Sequence, residues 1–550
     1  MGKILSVAAH FVARVLDLLQ IPPAAAPRQH TSLLTLPPDI LHVIFDCLLV
    51  MITERQLKHR NYFWDEGRSR GARLIPLSCT CHYLRQQTTP RIFREVSNWS
   101  KGNPRADMWP EAIRPFIAQV TLRDRSHRHP APITISADVF AALPLMPSLN
   151  KVILRLEIPV PSQLLVALSL APQLSSLEIL QARLDGPLPP LGSRPFPSLQ
   201  TLVICVWKLT AVVGARVVVA DMECNDVVAL LQSVSDALRT LSISGDLLSH
   251  KFLTLSWPHL RKFTITEHTP TPYLTVPEIT SQMPTLRELS VLYSADLSRG
   301  AGELRPPFTI GVLGGNLLTK GSPYLNSATL SNLQPDDPIF GQLPSTLEEL
   351  HVVAAWDRYI PEVSSSTETQ ETPLTRLTVL TTIQHISHLV ALLELTLTLD
   401  HFPTPTLINF VVKTFPSLRF LALENSKYRS PQDEDLVEDV RDPALVEPLS
   451  RLANLAHLRI SLDFWEREPI YLQVGANRAA ARWFLDQLPT LQSISFSFEH
   501  WSAWSHFYEL ERFSWATYFR SEFPPWPDPP SVLPGPRHDD EVIVLEEPPE

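Results

Sequence analysis

The sequence is poor in cysteine, glycine and charge. It has 5 cysteines and 17 glycines in 550 residues, and charged residues make up 19% of it. So few cysteines in this length exclude the disulfide framework of a small secreted protein. Cys79 and Cys81 lack a second pair at metal-ligand spacing, so they predict small helix residues rather than a zinc site. The formal net charge of -10 argues against a nucleic-acid surface.

Long hydrophobic runs and catalytic motifs are also missing. The apolar N-terminus is interrupted by His10, Arg14 and Asp17, which favours an amphipathic helix over a transmembrane span or secretory signal. Gly2 and Ser6 match the myristoylation pattern, but this pattern is short, so no membrane association is expected. The sequence has no G-x-S-x-G, no H-E-x-x-H and no clustered Cys/His set. We therefore expect no enzymatic activity, no catalytic residue, no cofactor and no metal.

A repeated unit runs through most of the chain from Ile117 onward. Its pattern is an apolar residue, two variable positions, an apolar residue, one variable position and another apolar residue. A proline precedes several copies, where it ends a helix and favours extended backbone in the residues that follow. The last two apolar positions then lie on one face of a strand. The copies are IAQVTL at Ile117, LNKVIL at Leu149, LSSLEI at Leu174, LQTLVI at Leu199, LRTLSI at Leu238, LRKFTI at Leu260, LRELSV at Leu286, LEELHV at Leu347, LTRLTV at Leu374, LLELTL at Leu392, LRFLAL at Leu418, LAHLRI at Leu455 and LQSISF at Leu491.

Stripes with helical spacing precede many of these predicted strands. They cover residues 226–237, with Asn225 as the capping candidate, and residues 405–414, 443–453 and 476–487. The pattern predicts an α/β chain in which each strand is followed by a return segment and the next strand. An ordinary doubly wound α/β domain is the alternative, but it would have fewer strands.

A different pattern occupies residues 35–96. Pro37 and Pro38 suit the first turn of a helix, and Asp39 suits its N-terminal dipole. Three short apolar stripes at helical spacing follow, which predicts a three-helix bundle. The stripes are Ile40, Leu41, Ile44, Phe45, Leu48 and Leu49, then Leu77, Cys81 and Leu84, then Ile92, Phe93 and Val96.

This stretch resembles an F-box. The first helix of that family typically begins Leu-Pro-x-Asp/Glu-Ile/Leu-Leu-x-x-Ile-Phe-x-x-Leu, which matches this chain in register from Leu36 to Leu48. The resemblance implies docking on the adaptor of a Skp–cullin–F-box ubiquitin ligase. A generic helical hairpin is the alternative, and residues 50–73 form a longer and more polar connection than is usual. The implied adaptor-binding residues are Leu36, Pro37, Ile40, Leu41, Ile44, Phe45, Leu48 and Leu77.

The repeats resemble leucine-rich repeats, as in F-box proteins that capture substrates with them. The resemblance implies an irregular solenoid with a curved parallel sheet. The Asn or Cys that such repeats often place after the strand is missing, and repeat spacing drifts. The expected divisions are an amphipathic segment and linker (1–33), an F-box (34–99, insertion 50–73), a repeat domain (104–522, inserts 299–342 and 361–373) and a disordered Pro-rich acidic tail (523–550).

Together the two resemblances imply a substrate-recognition subunit for ubiquitin-dependent protein degradation in the cytoplasm or nucleus. Its partners would be a Skp-type adaptor, a cullin and a protein target, with no nucleic acid. The alternative is a repeat scaffold that binds an adaptor without a ligase role. On the strand face we expect an exposed, polar and largely uncharged surface that contacts the target. Its candidate residues are Ser242, Ser244, Thr264, Thr266, Thr396, Thr398, Ser495 and Ser497.

The C-terminal part carries two further features. Residues 500–526 are densely aromatic, which predicts either a cap over the last repeat or a recognition surface. In the tail, Val542, Ile543, Val544 and Leu545 lie between acidic residues and resemble a SUMO-interacting motif. Such a run adds as a strand to a sheet edge, either of SUMO or of this chain's own repeats.

Overall fold

A computed structural model was obtained for the 550-residue chain. It describes residues 41–42, 44–45, 74–79, 81–97, 109–123, 135–156, 160–180, 184, 196–205, 221–267, 274–293, 311, 317–331, 333, 336–353, 376–399, 403–425, 443–461, 470–500 and 511–523.

The described residues contain fifteen strands, separated by helices and turns. The strands are β1 (Glu95–Ser97), β2 (Gln119–Arg123), β3 (Lys151–Arg155), β4 (Ser176–Leu180), β5 (Thr201–Cys205), β6 (Thr240–Ser244), β7 (Lys262–Glu267), β8 (Glu288–Tyr293), β9 (Ser327–Ser331), β10 (Glu349–Val353), β11 (Glu394–Leu399), β12 (Phe420–Asn425), β13 (His457–Ile460), β14 (Ser493–His500) and β15 (Glu511–Phe519).

Most connections between strands contain a helix or a 3₁₀ turn. The α-helices are α1 (Ile75–Ser78), α2 (His82–Ile92), α3 (Ala137–Ala142), α4 (Ser162–Ser169), α5 (Asp221–Val234), α6 (Val276–Thr280), α7 (Leu317–Gly321), α8 (Ile339–Gln342), α9 (Arg376–His385), α10 (Pro405–Thr414), α11 (Pro443–Leu449) and α12 (Ile470–Gln487). The 3₁₀ helices are Arg114–Phe116, Leu143–Leu145, Gly245–Leu247, His250–Thr254 and Arg520–Glu522.

The chain divides into two units. The first comprises Met1–Leu347 and Val352–Thr372, and the second comprises Glu348–His351 and Pro373–Glu550. In the first unit each strand from β1 to β9 pairs in parallel with the next one along the chain. The strand-and-return arrangement expected from the leucine spacing is therefore confirmed there.

A short turn before each strand explains why the pattern folds this way. In the turn before β5, the Leu199 N–H donates to the Phe196 carbonyl at 3.1 Å, and before β8 the Leu286 N–H donates to Met283 at 3.1 Å. The proline after Phe196 or Met283 has no N–H to leave unpaired, so it suits such a turn. The leucine that closes each turn is fully buried, which anchors the start of the strand.

The core of the first unit consists of rows of apolar side chains in register. Leu177, Leu202 and Leu241 are consecutive members of one row and each is 0% exposed. Burying a leucine side chain contributes about 1.5–3 kcal/mol, and this row buries an apolar side chain on each strand from β2 to β9. The polar residues between them alternate to the opposite face.

In the second unit the sheet ends differently. Strands β11, β12, β13 and β14 pair in parallel, whereas β15 pairs antiparallel with β14. The aromatic segment thus contributes a strand that ends the parallel series. After β15, the Arg520 guanidinium donates hydrogen bonds to the carbonyl of Leu485 in the last turn of α12 and to those of Leu488 and Leu491 in the turn between α12 and β14. The bond to Leu485 satisfies a carbonyl in the last turn of the helix, where the intrahelical donor is missing.

The N-terminal helical part packs around the predicted first stripe. Leu41 and Phe45 are 0% exposed and Ile44 is 3% exposed. They form one apolar cluster with Leu74, Leu84 and Ile92. The Cys81 thiol accepts a hydrogen bond from the Leu84 N–H at 3.4 Å and caps α2. A small helical bundle is therefore present.

The third predicted helix of this bundle is not formed. Helix α2 continues through Pro90 to Ile92, and Val96 belongs to strand β1 instead. The Ala118 and Gln119 N–H groups donate to the Arg94 carbonyl at 2.8 and 2.9 Å. Pairing with β2 thus overrides the helical spacing of the stripe that contains Ile92, Phe93 and Val96.

Three further predictions for the repeats were wrong. Of the copy LTRLTV, residues 376–379 are described and lie in helix α9, because Val379, Ile383 and Ile386 are buried at helical spacing. Residues 299–342 are not simply an inserted loop, since they contain α7, β9 and α8. The strand was missed because Ala328 occupies the position of the large apolar residue in LNSATL. Predicted helix 226–237 begins earlier, at Asp221, so Asn225 lies inside α5 and does not cap it.

Candidate functional site

Charged and hydroxyl side chains share one face of the second unit's sheet. Glu394, His457 and Ser493 belong to one register row across the strands, with Phe420 between the first two. The next row carries Thr396, Arg459 and Ser495, with Ala422 between the first two. Because strand residues alternate between faces, both rows lie opposite the core. We call the ionisable members of this surface the charged face: Glu349, His351, Glu394, Glu424, His457 and Arg459.

Hydroxyl groups hold the two imidazoles of the charged face. His351 Nδ1 and Thr396 Oγ1 share a hydrogen bond of 2.8 Å. His457 Nδ1 and Ser493 Oγ share another of 2.8 Å, between β13 and β14. In each pair the hydroxyl fixes the ring through Nδ1. The Nε2 atom of each ring is the atom left to contact a partner.

An ion pair joins β12 to β13 on the same face. The Arg459 Nη1 atom donates to Glu424 Oε1 at 3.1 Å, and the Glu424 side chain is only 4% exposed against 37% for Arg459. A buried carboxylate is costly without a cation, and Arg459 supplies that cation to Glu424. The guanidinium is the more exposed end of the pair.

Burial shifts two pKa values on the charged face in opposite directions. The pKa of His351 is lowered by burial, and Arg459 lowers it further, against Glu349 and Glu424, which raise it. The pKa of Glu394 is raised by burial and by the nearby Glu349 carboxylate, against His457. His351 is therefore held towards its neutral form, and Glu394 retains its proton to a higher pH than an exposed glutamate.

The arrangement suits recognition. Among the residues described by the structure, no group of three or more His, Cys, Asp or Glu side chains could hold a metal ion. The charged face offers imidazoles, carboxylates and one guanidinium side by side on a sheet. Such a mixed polar surface fits a hydrogen-bonded and ionic contact with another protein.

The predicted target-facing hydroxyls lie on the expected strands but are mostly covered. Ser242 and Thr264 are half-buried register neighbours on β6 and β7. Five others are buried, which makes the expectation of exposed hydroxyls wrong for them: Ser244, Thr266, Thr396, Thr398 and Ser495.

Contacts with neighbouring side chains explain the burial of these hydroxyl groups. Thr396 is bonded to the His351 ring, and Ser495 shares a 2.9 Å hydrogen bond with Thr517. Thr266 Oγ1 lies 3.7 Å from the Cys205 thiol. These hydroxyl groups therefore contact other side chains of the protein and do not form an exposed surface. The face of the second unit is also charged, so the prediction of a largely uncharged surface was wrong there.

The predicted adaptor-binding residues fall into two groups, one that the structure describes and one that lies outside the described residues. Leu41, Ile44 and Phe45 lie inside the helical bundle, and Leu77 is partly buried against the same cluster. The four other predicted adaptor-binding residues lie outside the described part of the chain: Leu36, Pro37, Ile40 and Leu48. So do the Ser497 side chain and the predicted SUMO-interacting residues Val542, Ile543, Val544 and Leu545.

Sequence inspection missed the charged face because apolar spacing was the only signal used. The variable positions of ELHV, ELTL and HLRI hold Glu349, His351, Glu394, His457 and Arg459. Aligning these segments on their leucines would have placed Glu349, Glu394 and His457 in one row, with His351 and Arg459 in the next. This alignment would not have placed Glu424, because its pairing with Arg459 depends on the register between β12 and β13.

The chain was compared with known proteins. No protein-family model and no curated protein matches it. Similar solved structures include the TLR13–ssRNA13 complex, at 13% identity over 66% of this chain and 57% of the matched chain, with a TM-score of 0.29. A leucine-rich-repeat protein of Leptospira interrogans matches at 14% identity over 74% and 96%, with a TM-score of 0.30. The Toll–Spatzle complex of Drosophila matches at 13% identity over 67% and 53%, with a TM-score of 0.27.

These scores are too low to support an argument about function. The chain spans little more than half the length of the matched chains in the first and third structures. The repeat architecture therefore stands on the strand order and register of this chain. Within the described ranges, no helix is long and apolar enough to cross a membrane.

Proposed function

We propose that this chain is the target-recognition subunit of a Skp–cullin–F-box ubiquitin ligase. One observation carries the proposal: the helix that contains Leu41 and Phe45 of the F-box-like motif packs with α1 and α2 into a small bundle. This bundle leads directly into β1, the first strand of the ladder. A docking module joined to a long recognition sheet is the arrangement that such a subunit requires.

The burial of the motif changes where the adaptor would bind. Leu41, Ile44 and Phe45 stabilise the bundle from inside, so their contribution to docking is indirect. Contact would fall on Leu36, Pro37, Ile40 and Leu48, together with the surface around Leu77. Ile75 in α1 is 46% exposed and supplies apolar area on that surface. A Skp-type adaptor would cover it.

The sheet would hold the target while the ligase transfers ubiquitin. The charged face provides imidazole, carboxylate and guanidinium groups for that contact, supported by Thr396 and Ser493. Catalysis by this chain would be positional, because holding the acceptor lysine near the transferring enzyme raises its effective concentration. No chemical step is assigned to its own side chains.

Co-purification tests this function directly. The tagged full-length chain should retain a purified Skp adaptor and, through it, a cullin. The Ile75→Asp variant should weaken adaptor binding, because a charge would be buried in the interface. The matched control is Leu170→Asp, since Leu170 is an apolar residue of the same unit that is 65% exposed. Failure of the wild-type chain to retain any adaptor would refute the proposal.

A repeat scaffold without a ligase role is the second candidate, favoured by the structure of Arg94–Ser97. The Arg94 carbonyl, before β1, accepts two N–H groups from the residues that start β2, and the carbonyl of the residue before each of β2 to β8 does the same for the following strand. Helix α2 thus takes the place of a repeat's return helix, and the bundle caps the first strand. In this case the chain would bind its partner but retain no cullin.

A further inference from the structure

Three arginines occupy equivalent positions at the start of neighbouring strands in the first unit. Arg239, Arg261 and Arg287 immediately precede β6, β7 and β8. The N–H of Arg261 donates to the Arg239 carbonyl at 2.8 Å, and the N–H of Arg287 donates to the Arg261 carbonyl at 2.8 Å. Their backbones are therefore fixed in a row with the interstrand spacing of about 4.8 Å. We call these three residues the arginine row.

The positive charge of the arginine row is not compensated. All three side chains are exposed. In the described part of the chain, none of the three guanidinium groups forms a hydrogen bond or an ion pair. The neighbouring Lys262 differs, because its Nζ atom lies 2.8 Å from Glu288 Oε2. Like charges this close repel each other, so the row costs stability in the isolated chain.

A cavity lies beside two members of the arginine row. It has a volume of about 260 Å³, and its lining includes Arg239, Arg261, His259, Ser198 and Thr285. The Ser198 hydroxyl already donates to the Pro172 carbonyl at 2.7 Å, and Thr285 donates to the Pro258 and Leu260 carbonyls at 3.0 Å. The free donors of the cavity are therefore its nitrogen groups, which favours an oxyanion.

We propose that the arginine row binds an Asp- or Glu-rich segment of a partner protein. A guanidinium fork pairs with one carboxylate through two parallel hydrogen bonds. Three guanidinium groups in a row can each pair with a different carboxylate along one extended acidic segment. A single phosphate would need donors that converge on one point, and the hydroxyls of Ser198 and Thr285 cannot provide them. The cavity volume suits one acidic side chain.

Nucleic acid is a poorer fit to the same surface. Single strands are bound by stacking bases on aromatic side chains beside a basic groove. No Phe, Tyr or Trp is among the residues that line the cavity. The net charge of -10 also opposes a polyanion as long as a nucleic acid. This inference concerns only the strand starts of β6 to β8 and is independent of the ligase proposal.

Fluorescence anisotropy tests the inference with the full-length chain. The probe is a labelled ten-residue Glu-rich peptide, compared with the same peptide carrying Gln at every Glu position and with one carrying a single phosphoserine. We expect the Glu-rich peptide to bind and the Gln peptide not to bind. Because the pairs are exposed, binding should weaken as salt rises. Tighter binding of the phosphoserine peptide by more than tenfold would overturn the choice of carboxylate.

Substitutions locate the binding to the row. Arg239→Gln, Arg261→Gln and Arg287→Gln should each weaken binding by about two- to fivefold, and the triple variant by at least about tenfold. The matched control is Arg419→Gln, because Arg419 is exposed and precedes β12 but its row neighbours Leu393 and Ala456 are uncharged. Asp236→Asn, in the turn before β6, should strengthen binding. Unchanged affinity in the triple variant, or an equal loss in Arg419→Gln, would overturn the proposal.

Discussion

The Nδ1 atom of His351 on β10 lies 2.8 Å from the Oγ1 atom of Thr396 on β11. The ring is held by this bond in a site whose burial lowers its pKa below the ordinary value of 6.5. The unfolded chain then binds more protons than the folded chain at pH values just below 6.5. The stability conferred by a neutral His351 is present above pH 6.5 and is lost as the pH falls towards the folded pKa.

His351→Asn should remove this part of the acid sensitivity. Denaturant unfolding between pH 7.5 and 5 should show a shallower loss of unfolding free energy for the variant than for the wild type. Thr396→Val is the control, because it removes the hydroxyl and leaves the imidazole buried. It should lower stability at every pH while the pH dependence is retained. Identical pH slopes in wild type and His351→Asn would contradict the prediction.

Glu394→Gln should stabilise the protein at neutral pH. Burial and Glu349 raise the pKa of Glu394 above 4.5, so the folded chain holds this proton more tightly than the unfolded chain. That stability is present below pH 4.5 and is lost as the pH rises through the folded pKa. In thermal melts the variant should have a higher melting temperature than the wild type at pH 7, and the two melting temperatures should converge near pH 4. In a Glu349→Gln background the difference at pH 7 should shrink.

Leu41→Ala should destabilise the helical bundle by about 2–5 kcal/mol, because Leu41 is fully buried and the substitution leaves a cavity. Ile75→Ala is the matched control, and at 46% exposure it should cost less than about 1 kcal/mol. Hydrogen exchange with mass spectrometry should report faster exchange in α1 and α2 for Leu41→Ala, with β3 to β8 unaffected. Equal exchange in both variants would mean that Leu41 does not belong to this core.

Gly311→Ala should be destabilising by about 1–3 kcal/mol. A Cβ atom there would overlap the backbone of Pro338 and Ile339. The Gly311 N–H also donates to Asp337 Oδ1 at 3.0 Å, which holds the glycine close to that turn. Gly341→Ala provides the control, since nothing lies within 4 Å of its added Cβ. Chemical denaturation should therefore give a clearly lower free energy of unfolding for Gly311→Ala than for Gly341→Ala.

Arg520→Ala should cost about 1–3 kcal/mol, because the carbonyls of Leu485, Leu488 and Leu491 lose the hydrogen bonds of the guanidinium, although Leu488 also accepts the Leu491 N–H. Arg451→Ala should change stability by less than about 0.5 kcal/mol, since Arg451 forms an exposed pair with Glu447. Thermal unfolding of both variants at one pH provides the comparison. A small effect of Arg520→Ala would mean that water replaces its bonds readily.

The strand ladder could be predicted from the sequence because its signal is local. Leu177, Leu202 and Leu241 repeat one pattern, and each copy places its residues on the core face without help from distant parts of the chain. Helix 405–414 was predicted with its observed bounds because Thr404 and Pro405 mark its start. Where the local signal was ambiguous, at Val96 and Val379, tertiary pairing or burial decided the outcome.

The charged face could not be derived in the same way. Glu424 and Arg459 are 35 positions apart, and their contact depends on the register of β12 against β13. The arginine row also depends on strand register, since Arg239, Arg261 and Arg287 become neighbours only when β6, β7 and β8 pair in the folded sheet. Binding surfaces of repeat chains arise from such lateral alignment, which a linear pattern of leucines does not encode.

Strand β15 limits how this protein can associate with itself. An unpaired strand at the end of a parallel ladder presents amide and carbonyl groups that another copy could extend into a filament. Here β15 occupies the second edge of β14 and runs in the opposite direction. A further copy cannot continue the parallel series at β14. A strand added at this end would have to pair with β15 itself, so the reversed strand sets where and in which direction the sheet could be extended.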